Sequence, residues 1–153
     1  MARAIEIFVD ADACPVKDEV YRVAARYGLK THVVANAFMF VPTSALIARV
    51  TVDAGPDVAD DWIACAAKPG DIVITNDIPL AQRALAAGSA AIAPNGRAFT
   101  QDSIGLAIAH RAIAEQLRST GAITGGPAPF QRADRSRFLQ ALDQAVTRAL
   151  RGG

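Results

Sequence analysis

Acidic residues gather in three stretches of the first half of the chain. They are Asp10 and Asp12 in "FVDADACP", Asp57, Asp60 and Asp61 in "PDVADD", and Asp77 in "VITNDIPL". Carboxylates brought within a few ångströms raise one another's pKa, so packing them together is costly unless a cation neutralises them. A donor set of hard oxygens, with no His or Cys among them, suits Mg²⁺ or Mn²⁺. Such an ion activates water and steadies the oxygens of a phosphodiester during in-line attack. Asp57 stands three residues before Asp60 and four before Asp61, so these acids can share a helix face. Taken singly, each of them is explained by helix capping and the helix dipole, with no metal involved. The convergence of separate segments is what favours a metal site.

Other chemistries find less support. Cys14 and Cys65 form no CxxC or Cys/His ligand pattern. Cys14 opens a helix but has two carboxylates beside it, and it reads as a small buried hydrophobe. A disulfide is not expected in a reducing compartment. His32 lies in an apolar strand and His110 mid-helix beside Arg111, neither with a partner that would make it a base. No G-x-S-x-G elbow, G-x-G-x-x-G turn or P-loop is present. The order Asp10-Ala11-Asp12-Ala13-Cys14 does match the D-x-D-x-T opening of haloacid-dehalogenase-type phosphatases, except that Cys replaces Thr. In that chemistry Asp10 is the nucleophile and Asp12 the general acid.

The elements that must position these residues follow from periodicity. "AIEIFV" at 4–9 predicts a strand, and Val16, Val20, Val23 and Ala24 recur at helical spacing between Pro15 and a C-capping Gly28. Strands follow at 30–37 and 49–55, with an ambiguous stretch, "FMFVPTSALIA", between them. A helix opens at Pro56 and Asp57, a strand covers 71–75, a helix runs from Asn76 to Gly88, and a short strand lies in "SAAIAPNG". A longer helix at 100–118 is capped by Thr100 or Asp102. After a Gly/Pro-rich loop at 119–133 comes a last helix at 134–150, with Phe138, Leu142, Val146 and Leu150 on one stripe. Strands alternating with helices predict one α/β domain over 1–153, with a mostly parallel sheet of about five strands and helices on both faces.

Ligands of open parallel sheets bind outside the carboxyl ends of the strands. On the predicted order, Asp10, Asp12, Asn36, Asp53, Thr75, Asn76, Asp77 and Asn95 fall at that edge, and Asp71 at the opposite one. Asn36, Thr75 and Asn95 are therefore expected at a substrate. Arg132, Arg135 and Arg137 follow the glycine turn "TGGP" and could hold phosphates. A solvated loop and helix cap is the simpler reading of them.

The chain of 153 residues is 52% apolar, which suits a folded core and argues against disorder. No apolar run approaches the roughly 20 residues of a membrane-spanning helix, and the N-terminus lacks a signal peptide's pattern, so a cytoplasmic protein with no membrane partner is expected. Net charge is +1, and it is divided: 8 basic against 11 acidic groups up to Gly96, and 8 against 4 from Arg97 onward. Oligomeric state has no signature here.

Taken in order, "VDADACPVK", "VAN", D-x-A-D at Asp57 to Asp60, "GDIVITNDIPLA", "APNG" and "TGGP…F…DR" resemble the YaiI/YqxD family over nearly the whole chain. That family is similar to the PIN-like nucleases, which gather acids around Mg²⁺ or Mn²⁺ and cut RNA or DNA. The resemblance implies a PIN-like domain acting on nucleic acid. It makes Asp10 the first-strand ligand, Asp57 or Asp60 the helix ligand and Asp77 the acid of a T-x-D element, with Asp12 a further catalytic candidate. Asp53 and Asp61 fall outside the pattern. Many PIN-like nucleases carry Glu on the helix where this chain has Asp. A non-catalytic nucleic-acid-binding module is the remaining alternative, because fold does not fix function.

Overall fold

The computed structural model describes residues 4–12, 14–121 and 129–152. Its strands are β1 (Glu6–Asp10), β2 (Lys30–Ala35), β3 (Ile47–Thr51), β4 (Ile72–Ile74) and β5 (Ala90–Ile92). Its helices are α1 (Lys17–Tyr27), α2 (Val58–Ala66), α3 (Ile78–Ala86), α4 (Gln101–Ser119) and α5 (Arg132–Gly152). All the strand ladders are parallel, and the order across the sheet is β3-β2-β1-β4-β5. The predicted parallel α/β architecture is what forms.

Because the sheet is buried on both faces, its strands are apolar at successive positions rather than alternate ones. Ile7 and Val9 point to one face with Val33, Ala35, Ile72 and Ile74, where α1 contributes Val20, Val23 and Ala24 and α5 contributes Phe138, Leu142 and Val146. Phe8, Val34 and Val73 point to the other, against Ile63 of α2, Leu80, Ala81 and Ala84 of α3 and Ile104 of α4. Leu150, predicted on the α5 stripe, is 48% exposed; the buried stripe of α5 ends at Val146.

Capping sets several boundaries. Gly28 ends α1 in the left-handed conformation. Thr100, not Asp102, caps α4: its hydroxyl accepts from Ser103 N–H while the Ser103 hydroxyl accepts from Thr100 N–H. Strand β3 begins two residues earlier than predicted and ends at Thr51, where pairing with β2 stops. Pro42 lies in the β2–β3 connection, which forms no helix. Residues 122–128, most of the predicted Gly/Pro-rich loop including "TGGP", lie outside the described residues. Among the described residues no helix is long and apolar enough to cross a membrane.

Candidate functional site

The chain builds β1, moves outward through β2 and β3, then returns to the other side of β1 with β4 and β5. The order therefore reverses at the β1–β4 pair, and the crevice beyond the carboxyl ends of such a pair is where open α/β sheets bind ligands. Asp10 is the last residue of β1, and Thr75 follows the last residue of β4.

These two segments are joined by a hydrogen-bond relay. Thr75 is almost completely buried, and its hydroxyl donates to Asp10 Oδ2 at 2.8 Å. The same hydroxyl oxygen accepts from the Asp77 N–H at 2.9 Å. Asp77 then caps α3, its Oδ1 accepting from Leu80 N–H at 2.8 Å. So the T-x-D spacing sends a buried hydroxyl to the neighbouring strand and a carboxylate to the helix start. Burial raises the Asp10 carboxyl above the ordinary range, against the Thr75 hydrogen bond, and the charges of Asp77 and Asp12 add to the rise.

The third contributor is the first turn of α2. Burial raises the Asp60 carboxyl to about 6; the charges of Asp77, Asp10 and Asp57 and a side-chain hydrogen bond with Asp77 push in the same direction. Asp57 is the N-cap of α2 at φ 64°, yet its side chain makes no capping hydrogen bond. Capping by its carboxylate thus does not account for an Asp at this position. Asp61 turns to Arg83 of α3 at 2.6 Å, an exposed ion pair, and Asp53 is exposed.

The remaining candidates are placed as follows. Asp12 Oδ2 accepts from the Asn36 backbone N–H at 3.0 Å, which ties the β1 exit to the β2 exit; α1 is capped at Val16, not by Asp12. Asn95 Oδ1 accepts from Arg97 N–H and so shapes the turn after β5. Arg135 donates to the Pro15 carbonyl at 2.5 Å, pairs with Glu19 at 3.3 Å and lies over the Phe130 ring, clasping α5 to the start of α1. Arg137 pairs with Asp134, and Arg132 is exposed. Cys14 is buried, and burial pushes its thiol up, as suits a small hydrophobe; both cysteines are free. His32 stacks on Phe8 at 4.6 Å between centroids and meets Glu6 at 3.2 Å, away from the acids. Asp71 is buried at the opposite edge, where its oxygens accept from Glu6 and Lys68 N–H.

The acidic oxygens at the reversal are the right chemistry for a hard divalent cation. Among the described residues, however, no group of three or more His, Cys, Asp or Glu side chains is gathered in a metal-holding arrangement. What stands there is a set of carboxylates in electrostatic contact, with burial and mutual repulsion raising Asp10 and Asp60 above the ordinary carboxylate range.

Fold and site together define a parallel α/β protein with an acidic site at the carboxyl edge of its sheet. The sequence profile described as "Uncharacterized BCR, YaiI/YqxD family" matches residues 8–148, and the chain belongs to that family. It is 64% identical over 145 residues to a UPF0178 protein of Caulobacter vibrioides, covering 95% of each chain. It is 59% identical to a UPF0178 protein of Rhodopseudomonas palustris, over 95% of this chain and 92% of that one. A UPF0178 protein of Gluconobacter oxydans is 56% identical over 99% of this chain and 86% of its own. No solved structure matches.

Proposed function

We propose that the protein is a Mg²⁺- or Mn²⁺-dependent phosphodiester hydrolase of PIN-like type acting on RNA or DNA. The observation that supports this is the electrostatic contact of Asp10, Asp60 and Asp77, from β1, α2 and the β4–α3 junction, at the reversal of strand order, short of a preformed metal-holding group among the described residues. Asp10, Asp60 and Asp77 would hold the ion, with Asp57 completing the set. When bound, the ion supplies positive charge to the phosphodiester oxygens and lowers the pKa of water. Thr75 fixes one oxygen of Asp10 and Leu80 N–H fixes one of Asp77, which leaves each carboxylate a second oxygen held in a set orientation. Burial and the neighbouring carboxylates raise Asp60 to about 6, and a cation placed among them would relieve that repulsion.

The test compares Mn²⁺-dependent cleavage of labelled RNA and DNA by the wild type, Asp10→Asn and Asp77→Asn. Asn retains an oxygen to accept from Thr75 or to cap α3, so both variants are expected to fold with little loss of stability. Turnover is expected to fall at least a hundredfold in each, on the order of removing a metal or electrostatic catalytic group. Unchanged turnover in either variant sinks the proposal. Hydrolysis of small phosphomonoesters, with a beryllofluoride adduct on Asp10, would replace it with the phosphatase chemistry. Nucleic-acid retention without any turnover would replace it with a binding module.

A further inference from the structure

The connection from β2 to β3 leaves the same carboxyl edge as the acids at Asn36, whose N–H binds Asp12, and reaches Phe38 two residues on. Its start, "FMFV", is apolar at every position, and in an extended segment successive side chains point to opposite sides. Met39 and Val41 pack on the core beside α1 and α5. Phe38 and Phe40 are left outward, 61% and 87% exposed. Their rings meet edge to face at 5.2 Å, and the Arg49 guanidinium of edge strand β3 lies 4.2 Å over the Phe38 ring.

We infer that Phe38, Phe40 and Arg49 form a stacking platform for the unpaired bases of a single-stranded nucleic acid whose backbone runs to the acidic edge. The inference rests on the phosphodiester reading above and specifies its substrate as single-stranded. Arg49 covers one face of Phe38 and holds it edge to face with Phe40, which leaves the 87% exposed Phe40 ring as the open surface on which a base stacks without regard to sequence. Duplex bases are already stacked on one another and cannot use it. The carboxylates nearby repel a phosphate backbone, so affinity must come from the bases rather than from charge. A second copy of the chain is a poor occupant. Two rings offer at most about 500 Å², short of the roughly 800 Å² per partner that a stable interface needs.

The test is fluorescence anisotropy in EDTA, where nothing is cut. The ligands are a short labelled single strand, the matching duplex, and a base-free strand of equal length. The proteins are the wild type, Phe38→Ala, Phe40→Ala and Phe40→Trp; the exposure of Phe40 means that its variants fold. Phe40→Ala is expected to weaken single-strand binding about tenfold or more, on the scale of one lost base stack. Phe40→Trp restores it, and the duplex and base-free strand bind the wild type poorly. The inference is overturned by equal affinity in wild type and both alanine variants, by a base-free strand that binds as well as the natural one, by no strand binding at all, or by Phe variants that change only the mass in solution. Cleavage in Mn²⁺ with affinity indifferent to both phenylalanines removes the platform and leaves the hydrolase. Phe40-dependent binding with no cleavage by the wild type does the reverse.

Discussion

At the scale of single residues, Thr75 decides how Asp10 behaves. Its hydroxyl is buried and shared between Asp10 and the Asp77 N–H. Thr75→Val keeps the shape but leaves an acceptor oxygen without its donor. The Asp10 carboxyl should then rise further, and Mn²⁺ affinity measured by calorimetry should fall by about tenfold or more, the loss of one hydrogen bond to a charged group. Unchanged affinity would show that the relay does not prepare Asp10. Asp60 gives a second expectation. Its carboxyl in the folded protein titrates near 6, above the ordinary value, and Asp10 is shifted in the same direction. Between roughly pH 4 and 6 the folded chain therefore binds more protons than the unfolded one, so metal-free stability falls as pH rises through this window. Urea unfolding in EDTA at several pH values should show that fall, and Asp77→Asn should lessen it by removing one facing charge while the larger effect of burial remains. Stability that climbs over the same window contradicts the arrangement.

At the scale of elements, the site depends on how helices are pinned to the sheet. Asp77 was legible from sequence as a residue after a strand, and its capping role follows from the Pro two residues on. Arg135 was not: its guanidinium spans more than a hundred residues of chain to reach Pro15 and Glu19, and spacing carries no trace of that pairing. Asn36 was placed at the correct edge from sequence, but it is the backbone N–H, not the side chain, that holds Asp12. Gly96 shows the same limit. It reads as a turn residue, yet in the fold it sits at φ +92° with a would-be Cβ 2.7 Å from the Arg137 carbonyl carbon of α5. Gly96→Ala should therefore destabilise the protein by about 1–3 kcal/mol, the range for a non-glycine residue held in a disfavoured conformation, with the clash adding to it. Thermal unfolding followed by circular dichroism measures this, and an unchanged Tm would mean that α5 does not rest on this turn.

At the scale of the whole molecule, the class of fold was readable because strand and helix periods alternate cleanly and each helix brings its own start and stop signals. The order β3-β2-β1-β4-β5 was not readable, since periodicity says nothing about which strands are neighbours. That order is what turns acids scattered over 68 positions, Asp10 to Asp77, into neighbours at one reversal point. It also separates them: Asp10, Asp60 and Asp77 interact, Asp61 is drawn to Arg83, and Asp12 is held by Asn36. The exposed Phe38 and Phe40 stayed ambiguous in sequence because an all-apolar run does not reveal which alternate residues the core will take. The central claim is that the reversal point holds a divalent cation, and a crystal soaked in Mn²⁺ with data collected at the manganese edge tests it most directly. An anomalous peak between Asp10, Asp60 and Asp77, absent in Asp10→Asn crystals, is the predicted result. No peak there at saturating Mn²⁺ would contradict it.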